Sequence, residues 1–245
     1  MIRSEPFDAR LVASRHLSPA VRELVFERQG GEPFLFAPGQ WVNLLIPAPE
    51  GEIKRAYSIA GAPLPGSPRF AVAVTRVADG AGSRYLHELP AGATLRAVGP
   101  QGLFTRPAED ESPSLFVGTG TGVTPLRSMM EAAIAASSKA PLWLLFGARR
   151  EEDILYREEF ERWAMGLPNL RYEVTLSQPG PSWTGRRGYV QAHVPALLEE
   201  LRAEIAPLEP HAYICGLERM VSVVRDLLRG ELALPRKHVR TERYD

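Results

Sequence analysis

The sequence predicts two successive folds, an N-terminal antiparallel β-barrel and a C-terminal doubly wound α/β domain with a five-stranded parallel sheet. Short strand-like segments broken by Pro and Gly turns fill roughly the first hundred residues, a pattern typical of antiparallel barrels and sandwiches. Beyond position 113, apolar strand-like runs alternate with helical runs, which indicates a parallel sheet covered on both faces. A polar segment bounded by Pro107 and Pro113 separates the two patterns. We therefore expect domains at 1–106 and 114–245, joined by a linker at 107–113.

In the N-terminal part, the strand candidates are segments where apolar and polar residues alternate. They are 21–26, 41–46 and 70–77, and the alternation is clearest in the third. Turn pairs punctuate the same part of the chain at Pro38-Gly39, Pro65-Gly66 and Gly99-Pro100. Frequent turns with few helical stretches favour the antiparallel fold.

In the C-terminal part, five strand candidates alternate with four helix candidates. The strands are 114–117, 142–146, 170–176, 212–215 and 238–242, and the helices are 124–137, 155–165, 191–205 and 217–229. In the third helix the apolar residues from Val194 to Ile205 fall on one face, and Gly230 follows the fourth as a C-cap. Parallel sheets of this kind bind ligands at the carboxyl ends of their strands.

Composition excludes several functional classes. A chain of 245 residues that is 44% hydrophobic suits one large or two modest globular domains. Its formal net charge of +0 argues against nucleic-acid binding. The single cysteine, Cys215, excludes an internal disulfide and a cysteine-ligated iron–sulfur cluster, which needs about four thiolates. The histidines lack metal-ligand spacing, so no metal site is predicted.

Targeting and membrane signals are also missing from the sequence pattern. The first residues contain no apolar signal core, and no apolar run approaches the ~18 residues that a membrane span needs. We expect a cytoplasmic, monomeric protein without membrane attachment.

A glycine-rich segment follows the strand candidate 114–117. Its residues are Gly118, Thr119, Gly120, Thr121, Gly122, Val123, Thr124 and Pro125. Thr124 can cap the following helix and Pro125 suits its first position. Amides at a helix N-terminus bind anions, and glycines let a pyrophosphate approach closely. The third glycine comes one residue earlier than in the dinucleotide fingerprint, so by itself the segment fits a plain strand-to-helix turn equally well.

A second motif is Arg55-Ala56-Tyr57-Ser58. Strand alternation places Arg55 and Tyr57 on one face, where an arginine can bind phosphate and a tyrosine can stack on a planar ring. Taken alone, the four residues fit better a strand with a surface arginine and a half-buried tyrosine.

A third motif, Cys215-Gly216, ends the strand candidate 212–215. Cys215 at a strand's carboxyl end can line a ligand pocket, or it can be a small buried apolar residue. No histidine lies near it in sequence, and we do not predict a covalent nucleophile. Near the C-terminus, Glu242 and Tyr244 are further candidates, although chain termini usually fray.

In this order and at these separations, the three motifs resemble the ferredoxin–NADP reductase family, in which a flavin-binding barrel precedes a nicotinamide-nucleotide domain. Segments 36–40, 80–86 and 99–104 resemble further landmarks of that family. The resemblance implies an FAD-dependent oxidoreductase that takes hydride from NAD(P)H to flavin N5 and passes electrons to a separate one-electron carrier, ferredoxin or flavodoxin. Alternatives are a reductase component for an oxygenase or for free flavin, and a non-catalytic flavin-binding subunit.

The resemblance also implies roles for individual residues. The implied FAD-binding residues are Arg55, Ala56, Tyr57, Ser58, Gly80, Gly82, Ser83 and Tyr244. The implied NAD(P)-binding residues are Gly118, Thr119, Gly120, Thr121, Gly122, Thr124, Pro125, Arg149, Ser177, Arg187, Tyr189, Cys215 and Gly216. Ser58, Cys215 and Glu242 are the implied catalytic residues.

Two departures from the family pattern concern the C-terminus and the nucleotide. Plant-type members end on the aromatic residue that stacks on flavin, whereas here Asp245 follows Tyr244. Ser177, Arg187 and Tyr189 align with the group that binds the 2′-phosphate, but Gln178 stands where those members have an arginine. Arg149 and the run Trp183-Thr184-Gly185 are shared with NADH-using relatives. The balance favours NADPH over NADH.

Overall fold

The residues described in the computed structural model are 5–244, and they form two compact units. The first unit contains the residues up to Ala108 together with Arg127–Ala136, and the second contains Glu109–Leu126 together with the residues from Ser137 onwards. The domain limits expected from the sequence stay predictions. Within the described range, no helix is both long enough and apolar enough to span a lipid bilayer.

The first unit is built on a six-stranded antiparallel sheet. Its elements are β1 (Phe7–Ser18), β2 (Val21–Arg28), β3 (Trp41–Ala48), β4 (Gly51–Ser58), β5 (Arg69–Thr75), α1 (Ala81–Glu88) and β6 (Thr94–Gln101). The strand order is β4-β3-β6-β1-β2-β5. Apolar side chains from five of the strands form one buried cluster, and the partly buried Ile53 and Tyr57 of β4 pack against it.

The two edge strands of this sheet, β4 and β5, approach each other. Ile59, directly after β4, forms a single antiparallel bridge with Val72 of β5, and the Ala60 amide donates to the Ala71 carbonyl oxygen at 2.8 Å. The sheet therefore curls into a barrel-like form. A single bridge, which is less than a full ladder of hydrogen bonds, joins its two edge strands. The fold class predicted for the N-terminal part is confirmed.

Helix α1 has no counterpart in the sequence predictions. Arg22 of β2 donates from Nη1 to the carbonyl oxygens of Leu86, His87 and Leu89, at 3.1, 2.7 and 3.1 Å. These bonds satisfy carbonyl groups that a helix leaves unpaired at its C-terminus. Because a distant strand supplies the donor, the eight residues of α1 contain no signal of it.

The second unit has a parallel sheet with helices on both faces. Its elements are β7 (Ser114–Thr119), α2 (Val123–Ala135), β8 (Leu142–Ala148), α3 (Arg157–Gly166), β9 (Leu170–Leu176), β10 (Arg186–Arg187), α4 (Val194–Ile205), β11 (His211–Leu217), α5 (Glu218–Arg229) and β12 (Val239–Tyr244). Helix α2 begins in this unit, and its residues from Arg127 onwards belong to the first. The strand order is β10-β9-β8-β7-β11-β12.

The side chains of β7 show how the sheet is covered. Leu115 and Val117 lie in a buried cluster with apolar residues of α4 and α5. Phe116, which points to the opposite face, stacks on Tyr213 of β11 at a centroid distance of 5.4 Å. On that face Phe160 of α3 contacts the ring of Tyr172 at 5.1 Å. Helices therefore cover both faces, as expected for a doubly wound domain.

All five predicted strands are present, but the predicted strand number was wrong by one. The sixth strand, β10, pairs with β9 through Arg186 opposite Thr175 and Arg187 opposite Leu176. Two residues are too few to show any periodicity, so this strand is recognisable only from its partner.

Candidate cofactor sites

The motif Arg55-Ala56-Tyr57-Ser58 forms the end of β4, where it pairs with β3. Arg55 and Ala56 are exposed, Tyr57 is half-buried and Ser58 is buried. Burial raises the pKa of Tyr57 to about 12, and the positive charge of Arg55 opposes this shift. The tyrosine is therefore neutral, with its ring available as an apolar surface on the same face of the strand as Arg55.

The N-terminus of α1 lies beside Arg55. A Cβ placed on Gly82 would lie 3.6 Å from Arg55 Cγ, an ordinary contact distance, so the start of α1 adjoins the Arg55 side chain. The first intrahelical bond runs from the Arg84 amide to the Gly80 carbonyl oxygen at 3.0 Å. The amides of Ala81 to Ser83 precede that bond and have no intrahelical acceptor.

Ser83 shapes this helix start through its hydroxyl group. Its Oγ accepts from the Val77 amide at 3.1 Å and donates to the Gly80 carbonyl oxygen at 3.0 Å. Both hydrogen bonds of the Ser83 hydroxyl thus stabilise the turn. The backbone amide of Ser83 is the group that can bind a ligand. A guanidinium beside a helix N-terminus is a cradle that fits the pyrophosphate of FAD.

Three polar residues that the sequence analysis missed hold the chain that follows Ser58. Arg127 Nη1 donates to the Ala60 carbonyl oxygen at 2.6 Å, and Ser128 Oγ donates to that of Gly61 at 2.7 Å. A third bond joins the Ala62 amide to Glu131 Oε2 at 2.8 Å. Within the first unit, these bonds fix the direction in which the chain leaves β4. The signal in the sequence was an arginine and a serine, Arg127 and Ser128, next to each other within a predicted helix. The structure shows that both are buried.

The glycine-rich segment forms the end of β7 and the start of α2. Gly118 and Thr119 end the strand, and a short 3₁₀ turn, Gly120–Gly122 with Thr121 at its centre, leads directly into α2. The helix begins at Val123, so the expectation that Thr124 caps it and Pro125 opens it was wrong. Thr124 is the second helical residue, and its hydroxyl donates to the Thr121 carbonyl oxygen. The 3₁₀ turn supplies the helix start that a cap would otherwise provide.

The structure brings this segment into backbone contact with the third motif. A Cβ on Gly122 would lie 2.3 Å from the Cys215 carbonyl oxygen and 2.7 Å from Gly216 Cα. Gly216 has φ +149°, and a Cβ there would lie 2.3 Å from Thr119 Oγ1. Only glycine fits at either position. The contact joins the carboxyl ends of neighbouring strands β7 and β11, where α/β sheets bind nucleotides.

One polar atom in this contact region is suited to a ligand. Thr119 Oγ1 is buried, and it has no hydrogen-bond partner among the residues that the structure describes. A buried hydroxyl without a partner is costly, and a bound polar group would remove that cost. The Thr119 hydroxyl and the close approach of the glycine-rich backbone to Cys215-Gly216 therefore fit a bound nicotinamide nucleotide.

Cys215 is fully buried in β11, opposite Gly118 on one side and Glu242 on the other. Burial raises the pKa of its thiol well above the usual value, and the nearby charge of Glu242 adds to this. Hydrogen bonds with the Tyr244 side chain and with the Gly216 backbone act in the opposite direction. The thiol is therefore neutral and unsuited to nucleophilic attack.

We expect Cys215 to resist a thiol reagent such as DTNB while the protein is folded, even at mildly alkaline pH. Its raised pKa keeps the thiolate fraction low across the range in which an ordinary thiol ionises, and the side chain is 0% exposed. The chain has one cysteine, so the released chromophore reports on this site alone. Labelling should follow unfolding in guanidinium chloride. Rapid labelling of the native protein would contradict the neutral, buried thiol.

The two C-terminal candidates lie in β12, both half-buried. Glu242 pairs with Cys215 and Tyr244 pairs with Leu217, so Tyr244 belongs to the sheet. The stacking of Tyr244 on flavin stays a prediction.

Three of the residues expected to bind NAD(P) lie at the carboxyl edge of β8, β9 and β10. Arg149 follows β8, Ser177 follows β9 and Arg187 ends β10. The Ser177 amide donates to the Ala148 carbonyl oxygen at 3.0 Å, which holds the two strand ends together. Arg149 and Arg187 are exposed, and Tyr189 is 68% exposed. Two cations and an aromatic ring therefore lie at one edge and face solvent.

Two family models match the chain. Residues 8–105 match the oxidoreductase FAD-binding domain and residues 116–226 match the oxidoreductase NAD-binding domain. A flavin domain followed by a nicotinamide-nucleotide domain defines the class of protein as an FAD- and NAD(P)-dependent oxidoreductase.

A curated relative narrows that class. The chain is 66% identical over 245 residues to ferredoxin–NADP reductase B of Sorangium cellulosum, and the match covers 100% of both proteins. The chain therefore belongs to the ferredoxin–NADP reductase family.

Two further matches show the breadth of the similarity. A reductase component of naphthalene 1,2-dioxygenase and salicylate 5-hydroxylase systems from a Ralstonia species is 32% identical, over 87% of this chain and 62% of that longer protein. The structure of a ferredoxin–NADP⁺ reductase from Plasmodium falciparum has a TM-score of 0.81 at 21% identity, with 99% of this chain and 98% of that one covered. The second match supports the fold alone.

Proposed function

We propose that this FAD-dependent oxidoreductase uses NADPH and delivers electrons to a separate ferredoxin or flavodoxin. The observation that supports this most directly is the backbone contact between the glycine-rich segment and Cys215-Gly216, next to a buried hydroxyl suited to a nucleotide. The full-length relative with that activity in its name supports the choice of acceptor.

When bound, FAD accepts hydride at N5 and can release electrons singly to a one-electron carrier. Around it, Arg55 and the amides at the start of α1 bind the pyrophosphate by charge-assisted hydrogen bonds. Tyr57 would cover one face of the ring, and Ser58 would lie near N5. The stacking of Tyr244 on flavin rests on the family pattern alone.

On the nucleotide side, the backbone of Gly118–Gly122 binds the pyrophosphate of NADPH, while Cys215 and Glu242 shape the nicotinamide pocket. Ser177, Arg187 and Tyr189 bind the 2′-phosphate, and Arg149 binds the nucleotide at the same edge of the sheet. Arg187 favours a phosphate over the 2′-hydroxyl of NADH, which is often bound by a carboxylate.

A second candidate function is that of a reductase component in an oxygenase system. The similarity to the Ralstonia reductase component favours it, although the chain spans 62% of that protein's length. In either case we propose a monomer in the cytoplasm. A non-catalytic flavin-binding subunit is a weaker proposal, since the glycines and Arg55 are all retained.

An anaerobic titration of the FAD-loaded protein tests the proposed function. We expect NADPH to bleach the flavin absorbance at lower concentrations than NADH, and the reduced protein then to reduce added ferredoxin. Reduction of an oxygenase but not of ferredoxin would favour the second candidate. No bleaching by either nucleotide, with flavin demonstrably bound, would favour the non-catalytic subunit.

A further inference from the structure

Three consecutive backbone carbonyls, those of residues 186–188, each accept a hydrogen bond from a side chain outside that segment. Trp183 Nε1 donates to the first at 2.8 Å, His193 Nε2 to the second at 3.0 Å, and Thr175 Oγ1 to the third at 2.9 Å. We call these three side chains the carbonyl clamp. All of them belong to the second unit.

The hydrogen bonds determine which nitrogen of His193 is protonated. Its Nε2 faces the Arg187 carbonyl oxygen, which can only accept, so Nε2 must have the hydrogen. The same Nε2 lies 3.1 Å from Thr175 Oγ1. Since the Thr175 hydroxyl gives its own hydrogen to Gly188, its oxygen accepts from His193, whose single Nε2 hydrogen is shared between the Arg187 carbonyl oxygen and Thr175 Oγ1. Two of the three clamp side chains, His193 and Thr175, are therefore linked directly, and Trp183 forms a separate bond.

Trp183 is held in place by the segment that it binds. A Cβ on Gly185 would lie 2.5 Å from the Trp183 ring, so the indole lies directly on the glycine backbone. Arg187 Nη2 returns a hydrogen bond to the Trp183 carbonyl oxygen at 2.7 Å. The Trp183 side chain thus donates to the carbonyl oxygen of residue 186, and the Arg187 side chain donates to the carbonyl oxygen of Trp183. These two bonds join the ends of the loop 183–187.

The clamped segment contains or adjoins the residues that we assign to the adenosine 2′-phosphate. Arg187 lies in the clamped segment 186–188, and Tyr189 directly follows that segment. Besides the clamp, the segment is held by the two-residue strand β10, by a bond from the Gly188 amide to the Leu176 carbonyl oxygen at 2.8 Å, and by an ion pair from Arg186 Nε to Glu173 Oε2 at 3.1 Å. So short a ladder leaves a loop with considerable conformational freedom, and ordering it on binding costs free energy.

We propose that Trp183, Thr175 and His193 are positioning residues that set nucleotide specificity by preorganising Arg187 and Tyr189. The bond to the Trp183 carbonyl uses one of the five guanidinium N–H groups of Arg187, at its terminal nitrogen Nη2, and the four that remain can bind the phosphate. This inference rests on the proposed NADPH site. It adds three residues that touch neither the phosphate nor the flavin.

The test compares binding of 2′-phospho-AMP with that of 5′-AMP by calorimetry on the FAD-loaded protein. Trp183→Phe removes the N–H donor and leaves a smaller aromatic ring at this position. Thr175→Val removes the hydroxyl at nearly constant volume. We expect each to lower the preference for 2′-phospho-AMP by about threefold to tenfold, the effect of one lost hydrogen bond. Trp163→Phe in α3 is the matched control and should keep the wild-type preference.

A donor substitution and steady-state kinetics separate positioning from a general structural role. His193→Gln keeps an N–H donor and should retain most of the preference, whereas His193→Leu should lose it. With ferricyanide as acceptor, the clamp variants should raise KM for NADPH with little change in kcat, and leave KM for NADH unchanged. Equal effects on both nucleotides would overturn the proposal.

The same variants show whether the clamp proposal or the 2′-phosphate assignment is wrong. If Arg187→Ala reduces the preference but Trp183→Phe, Thr175→Val and His193→Leu leave it at the wild-type value, the clamp proposal is wrong and the phosphate site stands. If Arg187→Ala leaves the preference unchanged, the 2′-phosphate assignment fails, and the clamp proposal fails with it.

Discussion

Replacing Gly122 with alanine is expected to slow NADPH-driven flavin reduction by about 100-fold, the cost of misplacing a bound substrate by about 1 Å. The new Cβ would lie 2.3 Å from the Cys215 carbonyl oxygen and 2.5 Å from its carbonyl carbon. Backbone atoms cannot rotate away as a side chain can, so the glycine-rich turn and the end of β11 must separate. Stopped-flow absorbance of the flavin under anaerobic conditions measures the rate.

The flavin content of the Gly122→Ala variant should be unchanged, because every assigned contact of Gly122 lies in the second unit. Gly166→Ala is the matched control, since a Cβ at that position in α3 meets nothing within 4 Å. It should reduce flavin at the wild-type rate. A wild-type rate in Gly122→Ala would show that the backbone contact has no role in placing the nucleotide.

Replacing Arg55 with alanine is expected to weaken FAD binding by about tenfold to 100-fold, the range for losing hydrogen bonds to a charged group. The guanidinium is exposed and lies beside the start of α1, where the helix amides complete the anion site. Arg55→Lys keeps the charge but lacks the two-pronged geometry, so it should restore only part of the affinity. Quenching of flavin fluorescence on titration with apoprotein measures the dissociation constant.

Arg10→Ala is the control for the Arg55 variants, because it also removes an exposed arginine from the first unit. Arg10 forms a surface ion pair with Glu27 at 2.9 Å, and such pairs contribute little to stability. Its FAD affinity should equal that of the wild type. An unchanged affinity in Arg55→Ala would refute the phosphate role of this residue, whatever the control shows.

Most of the architecture was predictable because its signals are local. The strands β7, β8, β9, β11 and β12 and the helices between them follow from hydrophobic periodicity, and the turn glycines mark the nucleotide edge of the sheet. Helix α1 and strand β10 were missed for the opposite reason. Arg22 stabilises α1 from another strand, and β10 exists only as the partner of β9.

The candidate sites were also predictable only where the signal is local in the sequence. Three short motifs, through the family that they resemble together, were enough to name the cofactors, while the residues assigned around those cofactors stay predictions. The start of α2 was misjudged at Thr124 and Pro125, since the 3₁₀ turn that opens the helix has no side-chain signature.

By itself, the sequence determined the class of protein, the order of its domains and the identity of its cofactors. Only the tertiary structure decided that Gly122 touches Cys215 and Gly216, that Arg127, Ser128 and Glu131 hold the chain after β4, and that a carbonyl clamp orders Arg187. The acceptors in most of these contacts are backbone carbonyls, which every residue has. The choice of acceptor is therefore invisible in the sequence, and it becomes known only when strands distant along the chain are paired.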